Sequence, residues 1–239
     1  MTAQPGRLHL IPTSLGPAEP AHWLPPAVQN VAASLDVYIA ENAKTARAFL
    51  KLIGTRHALQ DVTIHTLGRK VSAGQIRDWL QPLSEGRDIG LVSEAGCPAV
   101  ADPGSLVVRA AHQAGFEVVP HVGPSSILLG LMASGLDGQR FAFHGYAPVE
   151  PAARARQLKS WEAVSRKQQQ TQILIETPYR NDAMFDTMLQ ALHGDTYLCI
   201  ARSLTTPDQW IKTRRIADWK SAPRPTLTKL PTLFLFMAG

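Results

Sequence analysis

The chain has 239 residues, 45% of them hydrophobic and 18% charged, enough apolar material to bury a sizeable core and too much for a disordered polypeptide. Mean hydropathy is -0.07 and no apolar run approaches the roughly 20 residues of a membrane helix. Two cysteines, Cys97 and Cys199, exclude a disulfide-rich scaffold and a cysteine-clustered zinc site, and fit a reducing cytoplasm.

The net charge of +5 is placed unevenly: residues 1–135 carry 10 basic and 10 acidic side chains, residues 136–239 carry 14 and 9. A basic half beside a neutral one suits a polyanion such as RNA or DNA, and equally suits a solvated face with no partner.

The opening MTAQPGRLHLIP lacks the succession of cationic start, apolar core and small-residue cleavage site, so it reads as the start of a mature chain and not as a secretory signal. Apolar or β-branched runs then alternate with helix-period segments, the pattern of βα units around a parallel sheet. Strands are expected at residues 8–12, 37–40, 62–67, 89–93 and 117–122, with covering helices at 45–53, 73–83, 105–114 and 126–133. Gly86, Gly115 and Gly135 follow three of those helices, where a left-handed residue ends a helix most easily.

The punctuation SGLDGQR beginning at Ser134 marks a seam, dividing the chain into an N-terminal domain, residues 1–136, and a C-terminal one, 137–239. The second region reads as strand 141–146, helix 152–166, strand 172–176, helix 181–192 and strand 197–201. Two late strands near 210–216 and 233–237 follow with no helix between them, making its sheet mixed. Residues 222–231 hold three prolines and read as a loop whose closeness to the final strand suits a binding role. The fold class is therefore α/β, a parallel-sheet domain followed by a mixed-sheet domain. There is no internal repeat or low-complexity tract.

The most unusual segment is LVSEAGCPAVADPG, residues 91–104, where an apolar strand runs into small residues, two prolines and two acids before a helix. In an open α/β sheet, ligands sit beyond the carboxyl ends of strands. Neither GxGxxG nor GxxxxGK[ST] is present, which removes the common dinucleotide and nucleotide-triphosphate fingerprints. A plain βα connection shaped by glycine and proline is the alternative. VGPSS at 122–126 and IPTSLGP at 11–17 are short-side-chain loops of the same kind. The hydroxyls of VGPSS either cap the next helix or hold a polar ligand.

The succession IPTSLGP, AENAK, LVSEAGCPAVADPG, VGPSS, IETPYR and ARSLT resembles the tetrapyrrole methylase superfamily of S-adenosylmethionine-dependent methyltransferases. Within it the chain is most similar to the bacterial enzymes that methylate a cytidine 2′-hydroxyl of small-subunit (16S) ribosomal RNA. The likeness covers nearly the whole chain, and SEAGCPAVADPG is its most specific part. It implies two α/β domains with the cofactor in the cleft between them, a cytoplasmic homodimer, RNA as partner, S-adenosyl-L-methionine as cofactor and no metal.

Carried over by position, the resemblance implies that Pro12 borders the methionine end of the cofactor, and that Glu94, Ala95, Gly96, Cys97, Val100 and Ala101 wrap it with Ser125 and Ser126 nearby. Glu176, Thr177, Ala201, Arg202, Pro231 and Thr232 would border the adenosine. A ribose hydroxyl is a poor nucleophile near neutral pH and benefits from a base within hydrogen-bond reach. Glu94, Glu41 and Lys44 are the catalytic candidates, each with an ordinary loop charge or helix cap as its alternative.

Cys97 reads as a small loop residue, since nothing near it in sequence suggests an activated thiolate. The eight histidines show no paired spacing; His144 alone stands near the seam in a position to face the cleft. Tyr179 and Arg180 are candidates to stack on or pair with a nucleotide, with a plain surface charge at the start of a helix as the alternative for Arg180. The ribosomal RNA enzymes usually carry AEDTR where AENAK stands, YESxHR where IETPYR stands, and an E-L-T-K type segment where SLTT stands at 203–206. Other readings are a methyltransferase of a tetrapyrrole or another small molecule, and a paralogue that binds S-adenosylmethionine or RNA without catalysis.

Overall fold

A computed structural model describes residues 4–68 and 71–239, so the first three residues of the opening segment lie outside the described residues. The chain divides into two compact units, Met1–Ser125 and Ser126–Gly239. The division falls ahead of the 136/137 boundary expected from the punctuation.

The first unit contains β1 (Arg7–Ile11), α1 (Pro26–Ser34), β2 (Val37–Ala40), α2 (Ala43–Ile53), β3 (Thr63–Thr66), α3 (Ala73–Trp79), α4 (Gln81–Ser84), β4 (Ile89–Val92), α5 (Ser105–Gln113) and β5 (Glu117–Pro120). Its five strands are all parallel, in the order β3-β2-β4-β1-β5. Helices lie on both faces, which is why β2 and β4 are buried along their whole length and carry no polar alternation. On one face Ile11, Tyr38, Ala40 and Val92 pack against Val28 and Ala32 of α1 and Phe49, Leu50 and Ile53 of α2. On the other, Leu8, Ile39, Ile89 and Leu91 meet Ile76, Leu83, Val107 and Ala111. Gly90 in β4 makes room for Tyr38, because a Cβ there would lie 2.4 Å from the phenol ring. The Tyr38 hydroxyl donates to the Ala32 carbonyl.

Three helical features depart from the sequence reading, each for a local reason. The helix expected over 73–83 breaks at Leu80, since Pro82 in α4 cannot donate to a preceding carbonyl. The helix expected from residue 45 begins at Ala43, because the Asn42 side chain accepts the Lys44 amide at 2.9 Å and caps it. Helix α1 was not anticipated: its buried stripe is only Val28, Ala32 and Ala33, behind the Pro25–Pro26 pair.

The second unit contains α6 (Ser126–Ser134), β6 (Phe141–Tyr146), α7 (Pro151–Gln168), β7 (Thr171–Glu176), α8 (Asn181–Ala191), β8 (Tyr197–Arg202), β9 (Trp210–Arg215), α9 (Ile216–Ser221) and β10 (Thr232–Met237). The sheet order is β6-β7-β10-β8-β9, with β6 parallel to β7 and the other pairs antiparallel. The sheet is mixed, as expected. The connection between the last two strands is not: α9 fills it, burying Ile216 and Trp219. Leu158 of α7, Met184, Phe185 and Met188 of α8, and both α9 residues pack on Leu174, Leu198, Ile200, Phe234 and Phe236. Helix α6 lies on the opposite face, where a Cβ on Gly130 would come within 2.3 Å of Leu233 and the Thr213 hydroxyl of β9 donates to the Ser134 carbonyl at 2.6 Å. These contacts are what place α6 in the second unit.

Candidate functional site

Strands running parallel deliver the loops after β1, β2 and β4 to one edge of the first sheet. There Thr13 and Gly96 exchange backbone hydrogen bonds, 3.0 Å from the Thr13 amide and 3.2 Å from the Gly96 amide. The Thr13 hydroxyl donates to the Ser93 carbonyl at 3.3 Å and the Ser93 hydroxyl to the Gly96 carbonyl at 3.0 Å. The Cys97 thiol reaches the Pro124 carbonyl at 3.5 Å, and a Cβ on Gly123 would sit 2.3 Å from that of Pro12. The loops after β1, β4 and β5 are therefore one bonded structure.

Asp102 shapes the loop after β4. Its Oδ1 accepts the Ala99 amide at 2.8 Å and the Gly104 amide at 2.7 Å, holding Ala99 and Ala101 at φ of 67° and 61°, a left-handed conformation that alanine seldom adopts. Its Oδ2 is buried without a partner. Burial raises the Asp102 carboxyl's pKa in spite of those two amides. Glu41, following β2, is raised by burial first, then by Asp102 and by Glu94. The charges of Asp102 and Glu94, on the loop after β4, thus reach Glu41 on the loop after β2 and disfavour its ionised form. Among the described residues no group of three His, Cys, Asp or Glu side chains is placed to hold a metal ion.

Glu94, Ala95, Val100 and Ala101 are exposed on this loop and Pro12 is buried beneath it. Ser125 closes the first unit and Ser126 opens α6 in the second. Lys44 is not drawn into the carboxylate group: its side chain is exposed, and among the described residues only its amide is bonded. Burial raises the Cys97 thiol's pKa and takes that of Cys199 to about 11, so neither is a ready thiolate. Asp102 was missed as a site residue. Its position two residues before Gly104, ahead of a helix, was the available signal.

In the second unit, Thr232 on β10 stands in register between Glu176 of β7 and Arg202 of β8. Glu176 Oε1 accepts the Thr177 amide at 2.6 Å and Arg180 Nε at 2.9 Å, while its Oε2 is buried and unpartnered. Asn181 Nδ2 donates to the carbonyls of Leu227 at 3.1 Å and Leu230 at 2.7 Å and to the Thr232 hydroxyl at 3.1 Å, pinning the proline-rich loop. The Ser203 amide donates to the Pro231 carbonyl at 2.9 Å. Asn181 Oδ1, Arg202 Nε and Thr205 Oγ1 are also buried without partners. Such orphans are uncommon in a finished interior.

Ala201 is not part of this group: pairing with Leu233 and Ile211 turns it to the sheet face opposite Arg202. Arg180 is not a plain surface charge but bonds Glu176 at 2.5 Å, and Tyr179 is 82% exposed. His144 is occupied within the unit, bonded to Gln172 at 2.7 Å and stacked on Trp161.

A model of the family described as tetrapyrrole (corrin/porphyrin) methylases matches residues 9–219. The ribosomal RNA small subunit methyltransferase I of Xylella fastidiosa is 35% identical over 154 residues, 64% of this chain and 54% of that protein. The protein of the same name from Mycobacterium tuberculosis is 32% identical over 200 residues, 84% of this chain and 67% of that protein. The chain spans about half to two thirds of the length of the curated relatives it matches. Among solved structures, the methyltransferase CobJ is similar in fold, with a TM-score of 0.62 at 18% identity, covering 99% of this chain and 95% of that one.

Proposed function

The chain belongs to the tetrapyrrole (corrin/porphyrin) methylases, and from that premise we propose that it is an S-adenosylmethionine-dependent methyltransferase acting on a ribose 2′-hydroxyl of small-subunit ribosomal RNA. The observation that carries the reading is that Asp102 and Glu94, on the loop after β4, act on Glu41 beyond β2, with Asp102 Oδ2 buried and unpartnered. S-adenosylmethionine supplies a methyl group on a positively charged sulfur, already a good leaving group.

The protein's part is to bind, orient and exclude water. Glu94 and Asp102 hold positive charge in place, and the left-handed residues Gly96, Ala99 and Ala101 shape the loop that borders the ligand. Glu41, whose carboxyl is held above its ordinary pKa, is suited to take the proton of an attacking hydroxyl. In the second unit the unpartnered atoms of Glu176, Asn181 and Arg202 are assigned to the polar groups of a nucleoside.

The proposed assembly is a cytoplasmic homodimer. Leu128 and Met132, one turn apart on α6, are 53% and 80% exposed, and Phe141 and Tyr146 of β6 are exposed as well. An exposed apolar pair such as Leu128 and Met132 suits a second copy.

Calorimetric titration with S-adenosylmethionine and with its demethylated product tests the reading first. Micromolar or tighter binding, followed by methyl transfer to small-subunit RNA that is abolished when the acceptor carries a 2′-deoxyribose, is the expected result. A folded protein that binds neither ligand refutes it.

A further inference from the structure

Three arginines of the second unit are paired with acids: Arg166 bonds Asp195, Arg180 bonds Glu176 and Arg224 bonds Asp186. The cations at the β9 edge are treated differently. Trp210, Lys212 and Arg214 alternate along β9 and share one face with Arg202, Ile200 and Leu198, their register partners on β8. Among the described residues none of Arg202, Lys212 and Arg214 has a carboxylate within ion-pair distance.

Two of the three are nevertheless held in place. The Arg202 guanidinium lies 5.4 Å from the Trp210 ring centroid, and that of Arg214 lies 5.2 Å from the Trp219 ring. Trp219 is itself fixed by a hydrogen bond from its ring nitrogen to the Leu198 carbonyl at 2.9 Å and by edge-on packing with Phe185. A guanidinium lying on an aromatic face keeps its N–H edges free to donate. The nearby acid Asp218 acts instead on Arg215, on the opposite face, whose Nε and terminal nitrogen are bonded to the Tyr197 hydroxyl.

We propose that the β9 edge, through Lys212 and Arg214, is the docking strip for the phosphate backbone of the RNA substrate. The proposal rests on the RNA reading given above and assigns it a surface. The cations recur at the two-residue step of a strand, about 6.8 Å, and the stacked Arg214 loses little freedom on binding. β9 ends the sheet, so a backbone lying along it meets no neighbouring strand. Phosphate contacts of this kind position the substrate without reading its sequence.

The test is titration of the full chain with a fluorescent 20-nucleotide single-stranded RNA at several salt concentrations, for wild type, Lys212→Gln/Arg214→Gln and a charge-matched control, Lys159→Gln/Lys167→Gln, on exposed positions of α7. Loss of two phosphate contacts should weaken binding about tenfold at 0.1 M salt and lower the slope of log affinity against log salt by about 1.4, with the control near wild type. Equal losses in both double variants would reduce the effect to net charge and overturn the strip. So would unchanged RNA affinity in the β9 variant, including the case where that variant self-associates because its cations only guard the strand edge. Wild type that binds no RNA would overturn the strip together with the RNA reading. Calorimetric binding of S-adenosylmethionine, expected to be unchanged in both variants, separates that outcome from failure of the methyltransferase reading.

Discussion

Pro12 and Gly123 are in contact so close that position 123 admits no side chain: an added Cβ would lie 2.3 Å from Pro12 Cβ and 2.6 Å from its Cγ. The pyrrolidine ring cannot swing aside, so Gly123→Ala must displace the backbone of the loop after β5. The expected cost is about 1–3 kcal/mol of stability. Because that loop is bonded to the loop after β4 through Cys97 and Pro124, S-adenosylmethionine affinity should fall at least tenfold. Thermal unfolding and calorimetry on the one variant read both effects.

Glu41 gives a pH signature. Its folded-state pKa is raised, by burial first and then by Asp102 and Glu94, so its ionised form is the one that native structure disfavours. Between the ordinary carboxylate pKa and the raised one, stability falls as pH rises. Glu41→Gln should therefore melt higher than wild type at pH 7, the gap closing as the pH is taken down to about 3, below the unfolded carboxyl's pKa.

The same substitution should weaken binding of the cationic cofactor at neutral pH more than binding of its uncharged-sulfur product. Wild-type affinity for the cofactor should decline on acidification and that of the variant should decline less. Parallel pH profiles for the two ligands would remove the carboxylate group from cofactor binding.

A buried relay crosses the first sheet. His9, 2% exposed, meets Asp88 Oδ2 with Nε2 at 3.0 Å and His121 Nε2 with Nδ1 at 2.8 Å. If His9 donates to the ionised Asp88, its Nδ1 is the acceptor and His121 must donate. Burial works to raise the Asp88 carboxyl, but the Arg7 amide and His9 outweigh it and leave the pKa lowered. A lowered carboxylate stabilises above its unfolded pKa and loses that contribution as pH falls through the folded one. Asp88→Asn should lower the melting temperature at pH 7 and differ little from wild type near pH 3.

Asn181→Leu removes the donor to two carbonyls and one hydroxyl in a fully buried position. Leaving those acceptors unmet should cost about 3 kcal/mol. The loss should show as faster amide exchange in residues 227–232, with the first sheet unaffected.

Both sheets were legible because their strands are short apolar runs between helix-period segments, and the helix ends at Gly86, Gly115 and Gly135 were legible from glycine alone; their φ values are 81°, 78° and 71°. The small-residue loops were legible for the same local reason. Asp102's part was not, since its orphaned oxygen and its opposition to Glu41 arise only when β2 and β4 lie side by side. Asn181 looked like a helix start, and its partners lie 46 to 51 residues further on. Helix α9 is six residues long, too short for a periodic pattern to emerge.

The position of β1 within the first sheet bears on how that sheet comes to exist. Arg7 meets Asp88 across a separation of 81 residues and His9 meets His121 across 112, so one edge of β1 waits for β4 and the other for β5. The entropy of closing those loops precedes any gain from pairing. A chain being synthesised carries Leu8, Leu10 and Ile11 without a sheet to receive them until β4 and β5 follow, which makes β1 the segment of the first unit that a holding chaperone has most reason to cover.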